Sequence, residues 1–304
     1  MPGFHLYSSN KLEILADTFA DLVQAQPISP LQKEIILVQS RGMARWLAME
    51  TAARLTIWAN CDCPFPNTFI RKIYKLLLPE KSEVSVFGKE FSLWHIMNIL
   101  PEMLHDPHFS KVAAYVDTGD DLKLYQLARE TADLFDQYTL FRPRMILDWE
   151  NDIKQVPNDQ VWQSILWCRL VNHLHHHLQL PEQHRARLLQ FFEEKITGPA
   201  FNPATLPPRI SVFGISSLPP YHLRVLGALA YHIDIHIFVM NPCREYWFDI
   251  IADRDIVKIS RREAADQQAL HLHHGNSLLA SMGHLGRDFL SMLQEFPAEE
   301  QEFF

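Results

Sequence analysis

Residues 35–46 read Ile35-Ile36-Leu37-Val38-Gln39-Ser40-Arg41-Gly42-Met43-Ala44-Arg45-Trp46, and this stretch decides the fold class. Ile35 to Val38 is an unbroken apolar run of strand length, as a strand buried on both faces of a parallel sheet requires. A helix follows, from about Gly42 through Trp46 to Leu55. Upstream the same order appears once already. Phe4-His5-Leu6-Tyr7 reads as a short strand, and Ser8-Ser9-Asn10 opens a helix whose cap is assigned to Asn10, with Glu13 three residues on completing a capping box. Leu12, Leu15, Phe19 and Leu22 give that helix its core stripe, and Pro27 and Pro30 end it. Strand, helix, strand, helix is the beginning of a doubly wound α/β sheet.

Downstream the periodicity changes. From about Phe69 to Phe192 it is helical with almost no strand signal, clearest over Leu122–Phe141 and Val161–Leu178. Strands return as Ile210–Ile215 and Ile233–Val239, with a helix over Tyr221–Tyr231 between them, a second βαβ unit. The simplest architecture is an α/β domain built from residues 1–70 and 205–304, with an all-helical domain, residues 71–204, inserted into it.

The chain has 304 residues, 47% of them hydrophobic and 21% charged, enough apolar material for about two globular domains. Four cysteines, two of them in Cys61-Asp62-Cys63, do not make a disulfide framework and point to a reducing compartment. No apolar run reaches the ~18 residues of a membrane span, and the first residues do not form a signal peptide. The expectation is a soluble, cytoplasmic protein. Enumeration removes the common short motifs. No two of the ten glycines are two, four or five residues apart, so G-x-G-x-x-G, G-x-S-x-G and the phosphate-cradling G-x-x-x-x-G-K-[ST] are all absent. None of the 16 histidines precedes Glu, and there is no C-x-x-C.

The net charge of −8 is unevenly spread. Residues 1–80 carry 8 Lys and Arg against 7 Asp and Glu, while both later segments are acidic. That distribution disfavours a whole-surface grip on nucleic acid but leaves room for a local basic groove, sought among Arg41, Arg45, Arg54, Arg71, Lys72 and Lys75. Arg41 and Arg45 lie one turn apart where a strand gives way to a helix. They suit phosphates or guanine edges, or simply form a solvated basic face. Asp133, Asp136 and Gln137 share one side of a helix. They can hold a metal, act in acid–base chemistry, accept from base amino groups, or form a polar outer face. His173, His175, His176 and His177, and likewise His271, His273 and His274, are read as solvated. Cys61 and Cys63 are read as packing residues.

Six strings in one order resemble the N-terminal part of the exodeoxyribonuclease V gamma-subunit (RecC) family. They are Ile36–Ser40 with Gly42-Met43-Ala44; Pro64-Phe65-Pro66 with Phe69-Ile70; Ala132–Tyr138 with Arg142-Pro143; Gly214-Ile215-Ser216 through Pro220; Asn241-Pro242-Cys243 with Tyr246-Trp247; and Leu278–Ser281 with Leu285–Asp288. The resemblance implies a phosphate-loop-NTPase, superfamily 1 helicase-like parallel sheet that has lost its ATP-binding motif and carries a helical insertion. The turn after the first strand, Ser8-Ser9-Asn10-Lys11, agrees, since it has no glycines to wrap a triphosphate. The family implies a non-catalytic subunit that joins a RecB-like helicase–nuclease and a RecD-like helicase, handles single-stranded and forked DNA, and scans for the Chi sequence. It implies no cofactor in this chain, ATP and Mg²⁺ being expected only on the partners, and no membrane.

Carried over position by position, the implied DNA- and Chi-binding residues are Gln39, Arg41, Arg45, Phe65, Arg71, Asp133, Leu134, Asp136, Gln137, Arg142 and Arg185, walls of one tunnel. At Arg41, Arg45, Phe65 and Arg71 the enterobacterial pattern has Thr, Gln, Leu and Trp. Arginine prefers the O6/N7 edge of guanine, so the enterobacterial Chi octamer is not carried over. The alternative is an assembly scaffold with little DNA contact. An NTPase or nuclease has neither a phosphate loop nor a carboxylate–lysine cluster to rest on.

Overall fold

The structure is a computed structural model. It describes residues 2–81, 87–116, 121–151, 156–158, 160–178, 183–245, 247–248, 250 and 276–304, the side chains of 177 and 178 excepted. Tyr246 of the fifth string and His271, His273 and His274 lie outside these residues.

The chain opens β1 (Phe4–Ser9), α1 (Leu12–Ala25), β2 (Glu34–Leu37), α2 (Arg41–Leu55), β3 (Cys61–Asp62) and α3 (Pro66–Leu77). Helices α4 (Lys89–Met103), α5 (Ser110–Val116), α6 (Asp121–Phe141), α7 (Pro143–Asn151), α8 (Val161–Leu178) and α9 (Arg185–Thr197) follow. It then returns to β4 (Arg209–Phe213), α10 (Pro220–Ala230), β5 (Asp234–Met240), α11 (Ser277–Met282), α12 (His284–Leu293) and β6 (Ala298–Phe303). The six strands form one sheet in the order β3-β2-β4-β5-β1-β6, and every pairing is parallel. The α/β expectation therefore holds. Two edge strands, the two-residue β3 and the six-residue β6, go beyond those read from the sequence.

The chain divides into two compact units. One comprises residues 1–69, 202–218 and 226–304, the other residues 70–201 and 219–225. In the α/β unit the central strands β4 and β5 are buried almost throughout. Between α1 and the sheet, Phe19 meets Phe238 edge-on at 5.7 Å and Phe213 at 6.2 Å, while Tyr7 stacks on Phe238 at 4.7 Å. The α1 stripe shifts slightly from expectation: Leu15, Ala16, Phe19 and Ala20 are buried, and Leu12 and Leu22 are only partly so.

The helical unit is held by its own core, in which Trp149, Trp167, Phe135, Leu166 and Ile146 are fully enclosed. Phe135 packs edge-on against Trp167 at 5.2 Å. The indole N–H of Trp167 donates to Glu150 at 2.9 Å, which satisfies the polar end of a buried indole. Glu150 also faces His184 at 2.7 Å and pairs with Arg187. Burial pushes the Glu150 carboxyl up, but His184, Trp167 and Arg187 outweigh it and hold it below the ordinary carboxylate range.

Candidate nucleic-acid interface

A parallel sheet gathers the carboxyl ends of its strands on one edge, and ligands of open α/β sheets bind outside that edge. The chain leaves β1 for β2, across β5 and β4, but leaves β5 for β6 in the opposite direction, across β1. The ends of β1 and β5 thus flank a topological switch point.

The turn after β1 is not built as the sequence reading had it. Lys11, not Asn10, is the cap position of α1, and it makes no side-chain cap bond. Its backbone N–H donates instead to Ser9 Oγ at 3.1 Å. The hydroxyl of Ser9, the last residue of β1, thus binds the N–H of the cap residue itself, a different bond from the capping box assigned to Asn10. Glu13 sits in the first turn, where it already answers the positive helix end. No glycine cradle exists in this turn.

The loop after β2 carries the basic residues. Ser40 caps α2, its Oγ accepting from Met43 N at 3.1 Å. The helix therefore begins at Arg41, one residue before the expected start. Gly214, just past β4, has φ +62, a left-handed conformation that glycine adopts without strain. A Cβ there would lie 3.0 Å from Met43 Cε, so Met43 seats against Gly214. Arg41, Gln39 and Arg45 are exposed. Neither arginine pairs with a carboxylate among the described residues. Arg54, at the far end of the same helix, differs: it bridges Asp17 and Asp21, each at 2.7 Å, so this member of the basic set serves α1–α2 packing. Val38 N donates to Pro64 O at 3.3 Å, which ties the loop after β2 to the loop after β3. Gln39 and Phe65 each follow that bond by one residue, and Phe65 is 40% exposed.

The helical unit holds the other candidates. Arg71 is exposed on α3. On α6, Asp133 accepts from Lys89 Nζ and from Gln137 Nε2, the latter at 2.6 Å. Lys89 holds the Asp133 carboxyl below its ordinary range. Asp136 accepts from Arg185 at 2.6 Å. Each carboxylate thus has its own hydrogen-bonded cation. Leu134 is half-buried beside them. The Arg142 guanidinium lies 5.8 Å from the Tyr138 ring, within cation–π range. Gln39, Arg41, Arg45 and Phe65 belong to the α/β unit, and Arg71, Asp133, Leu134, Asp136, Gln137, Arg142 and Arg185 to the helical unit.

His173, His175 and His176 belong to no metal-ligating group among the described residues. Cys61 and Cys63 are half-buried against the sheet core. What the sequence reading missed lies at the opposite, amino edge of the sheet. There Glu34, Arg209, Asp234, His236, His5 and Glu299 form a polar network from strands far apart in the chain. Its only sequence signal is a charged or histidine residue at or near the start of each strand.

A family described as "RecC, N-terminal domain" matches residues 4–304. The protein named "RecBCD enzyme subunit RecC" of Escherichia coli (strain K12) is 37% identical over 97% of this chain and 28% of its own length. Those of Haemophilus influenzae and Mycolicibacterium smegmatis are 33% and 27% identical, over 95% and 99% of this chain and 30% and 26% of their own lengths. The chain spans under a third of the length of the relatives it matches. With its parallel α/β unit and its helical unit, the chain belongs to the RecC family and matches that family's N-terminal domain.

Proposed function

We propose that this chain is a non-catalytic DNA-binding part of a RecBCD-type complex in double-strand-break repair, channelling unwound strands and scanning single-stranded DNA for Chi. The observation that carries the reading is the exposed Arg41–Arg45 pair, which makes no ion pair with a carboxylate among the described residues, at the carboxyl edge of a parallel sheet whose β1 turn has no phosphate cradle. The site takes a sugar–phosphate backbone along basic side chains, with Phe65 available for stacking. Taken by itself, the helical unit carries Arg71, Arg142 and the charge-neutralised face of Asp133, Asp136 and Gln137. Compensating the two carboxylates with Lys89 and Arg185 reduces their repulsion of a polyanion. On this reading the sheet is that of a superfamily 1 helicase-like motor that has lost its nucleotide site. ATP and Mg²⁺ act on RecB- and RecD-like partners in the cytoplasm.

The test is fluorescence anisotropy of labelled random single-stranded DNA across a salt series, for wild type and Arg41→Ala/Arg45→Ala. Two lost phosphate contacts lower the slope of log K against log salt by roughly 1.4. An unchanged slope removes this face from the DNA path. The net charge of −8 favours a second reading, a docking scaffold for the helicase subunits, for which the double variant leaves both assembly and DNA scanning intact.

A further inference from the structure

At the amino edge of the sheet, His5 on β1 faces its register partner His236 on β5, with Asp234 two residues before His236 on the same strand. One ligand atom from each of the three lies within 4.8 Å of the others. They are the one such grouping among the described residues. We propose that His5, Asp234 and His236 form a binding site for one divalent transition-metal ion, Zn²⁺ foremost, that ties β1 to β5.

The hydrogen bonds around the histidines match those that metal-ligating imidazoles make. A ligating histidine normally gives its second ring nitrogen to an oxygen that fixes its tautomer and orientation. His236 Nδ1 is 3.2 Å from the Tyr7 hydroxyl. Its Nε2 is buried with no hydrogen-bond partner, and the residue is 2% exposed. An imidazole nitrogen left this way is destabilising unless something other than water satisfies it. Ser211, its register partner on β4, does not: the Ser211 hydroxyl is itself buried and unpartnered.

His5 repeats the pattern from the other side. Its Nδ1 lies 3.3 Å from the Glu299 carboxylate on β6, and its Nε2 lies 3.1 Å from Asp234 Oδ1. Glu299 is therefore the orienting carboxylate of a carboxylate–histidine–metal triad, and Asp234 is the third ligand. A four-coordinate ion with bonds of about 2.0–2.2 Å spaces its ligand atoms about 3.4 Å apart, close to the existing Nε2–Oδ1 separation.

The two rings are stacked at 4.7 Å and 19°, so one must turn to bring both nitrogens onto a common ion. His236 is enclosed, whereas the His5 side chain is 19% exposed and Glu299 is 80% exposed. His5 turns about its Cβ–Cγ bond and Glu299 follows. Two imidazoles and a carboxylate suit Zn²⁺, Cu²⁺ or Ni²⁺ and disfavour Mg²⁺ and Ca²⁺, which want more oxygens. Because the ligands come from residues 5 and 234–236, binding stabilises pairing between strands far apart in the chain.

The experiment strips the 304-residue chain with chelator, titrates it with Co²⁺ and reads the visible spectrum, with metal content measured after dialysis against Zn²⁺. The expected result is one ion per chain, with the absorption of a four-coordinate nitrogen–oxygen site. His5→Gln and Asp234→Asn each weaken it at least tenfold, with far-UV circular dichroism unchanged. Glu299→Gln weakens it less, and Cys61→Ser/Cys63→Ser leaves it alone. Equal binding by wild type and His5→Gln overturns the proposal. So does a thiolate charge-transfer band that disappears with the cysteines, or failure of the folded chain to retain metal.

Discussion

Removing the positive partner from the Arg209–Glu34 pair should unfold the α/β unit at a markedly lower temperature. Arg209 begins β4 and Glu34 begins β2, one step before the first register pair, Ile35 with Ile210. Arg209 Nε donates to Glu34 Oε2 at 3.1 Å and Nη2 donates to Oε1, a fork on a fork. Their side chains are 5% and 6% exposed, so water cannot replace the lost partner. Arg209→Met leaves a buried carboxylate uncompensated, at a cost of about 3–5 kcal/mol. The α/β unit has roughly 165 residues, a size at which each kcal/mol lowers the melting temperature by about 2–4 °C. The expected shift is therefore roughly 6–20 °C by differential scanning calorimetry. Replacing both partners with apolar residues, Glu34→Leu/Arg209→Met, removes the unpaired charge and should restore the transition to within about 1 kcal/mol of wild type. If the single variant melts within about 2 °C of wild type, or the double variant melts no higher than the single, the buried pair does not control β2–β4 pairing.

Two further outcomes follow from the geometry. Gly214→Ala forces a side chain into the left-handed region and against Met43 Cε, and should cost about 1–2 kcal/mol in urea unfolding, with the loss remaining when Met43 is also shortened to Ala. Glu150 governs the acid limb of the helical unit. Its folded pKa lies below the ordinary 4.5, so its contribution is complete above that value and is lost as pH falls through the folded one. Glu150→Gln should flatten the fall of the urea midpoint below pH 4.5, and an unchanged acid limb would remove His184 and Arg187 as the cause.

The strands that were legible from sequence are those buried on both faces. Ile35–Val38 is a continuous apolar run, and Ile210–Phe213 and Ile235–Val239 are apolar but for Ser211 and His236, because a central parallel strand has no solvent face. The edge strands gave no such signal. β6 is Ala298-Glu299-Glu300-Gln301-Glu302-Phe303, four exposed polar residues between two half-buried ends, and β3 is only Cys61-Asp62. A charged edge such as β6 and a short one such as β3 resist pairing with other chains, and for that reason they escape an apolar-run search. At the candidate site, Arg41 and Arg45 were legible because a strand-to-helix transition fixes their place. The partners of Asp133 and Asp136 were not, since Lys89 and Arg185 lie 44 and 49 residues away along the chain. The amino-edge network was least legible of all, assembled from residues 5, 34, 209, 234, 236 and 299, which only the strand order brings together.

That strand order also separates two kinds of perturbation. Every strand runs the same way, so the amino edge collects Glu34, Arg209, Asp234, His5 and Glu299, while the carboxyl edge collects Ser9, Gln39, Arg41 and Gly214. A six-residue strand such as β1 spans about 20 Å, and residues that far apart with no shared partners combine additively to within about 0.5 kcal/mol. At the amino edge the buried Arg209–Glu34 pair joins β4 to β2, so its loss acts on the folding of the sheet. The carboxyl edge presents exposed cations without a carboxylate partner among the described residues, whose loss leaves the core untouched. On the proposed reading, Arg41→Ala/Arg45→Ala therefore changes DNA affinity at constant melting temperature, and Arg209→Met changes melting temperature at constant DNA affinity below its transition. Coupling between the two would mean that the arginines owe their position to the sheet's amino end rather than to Ser40 and Gly214, the local contacts that seat the first turn of α2.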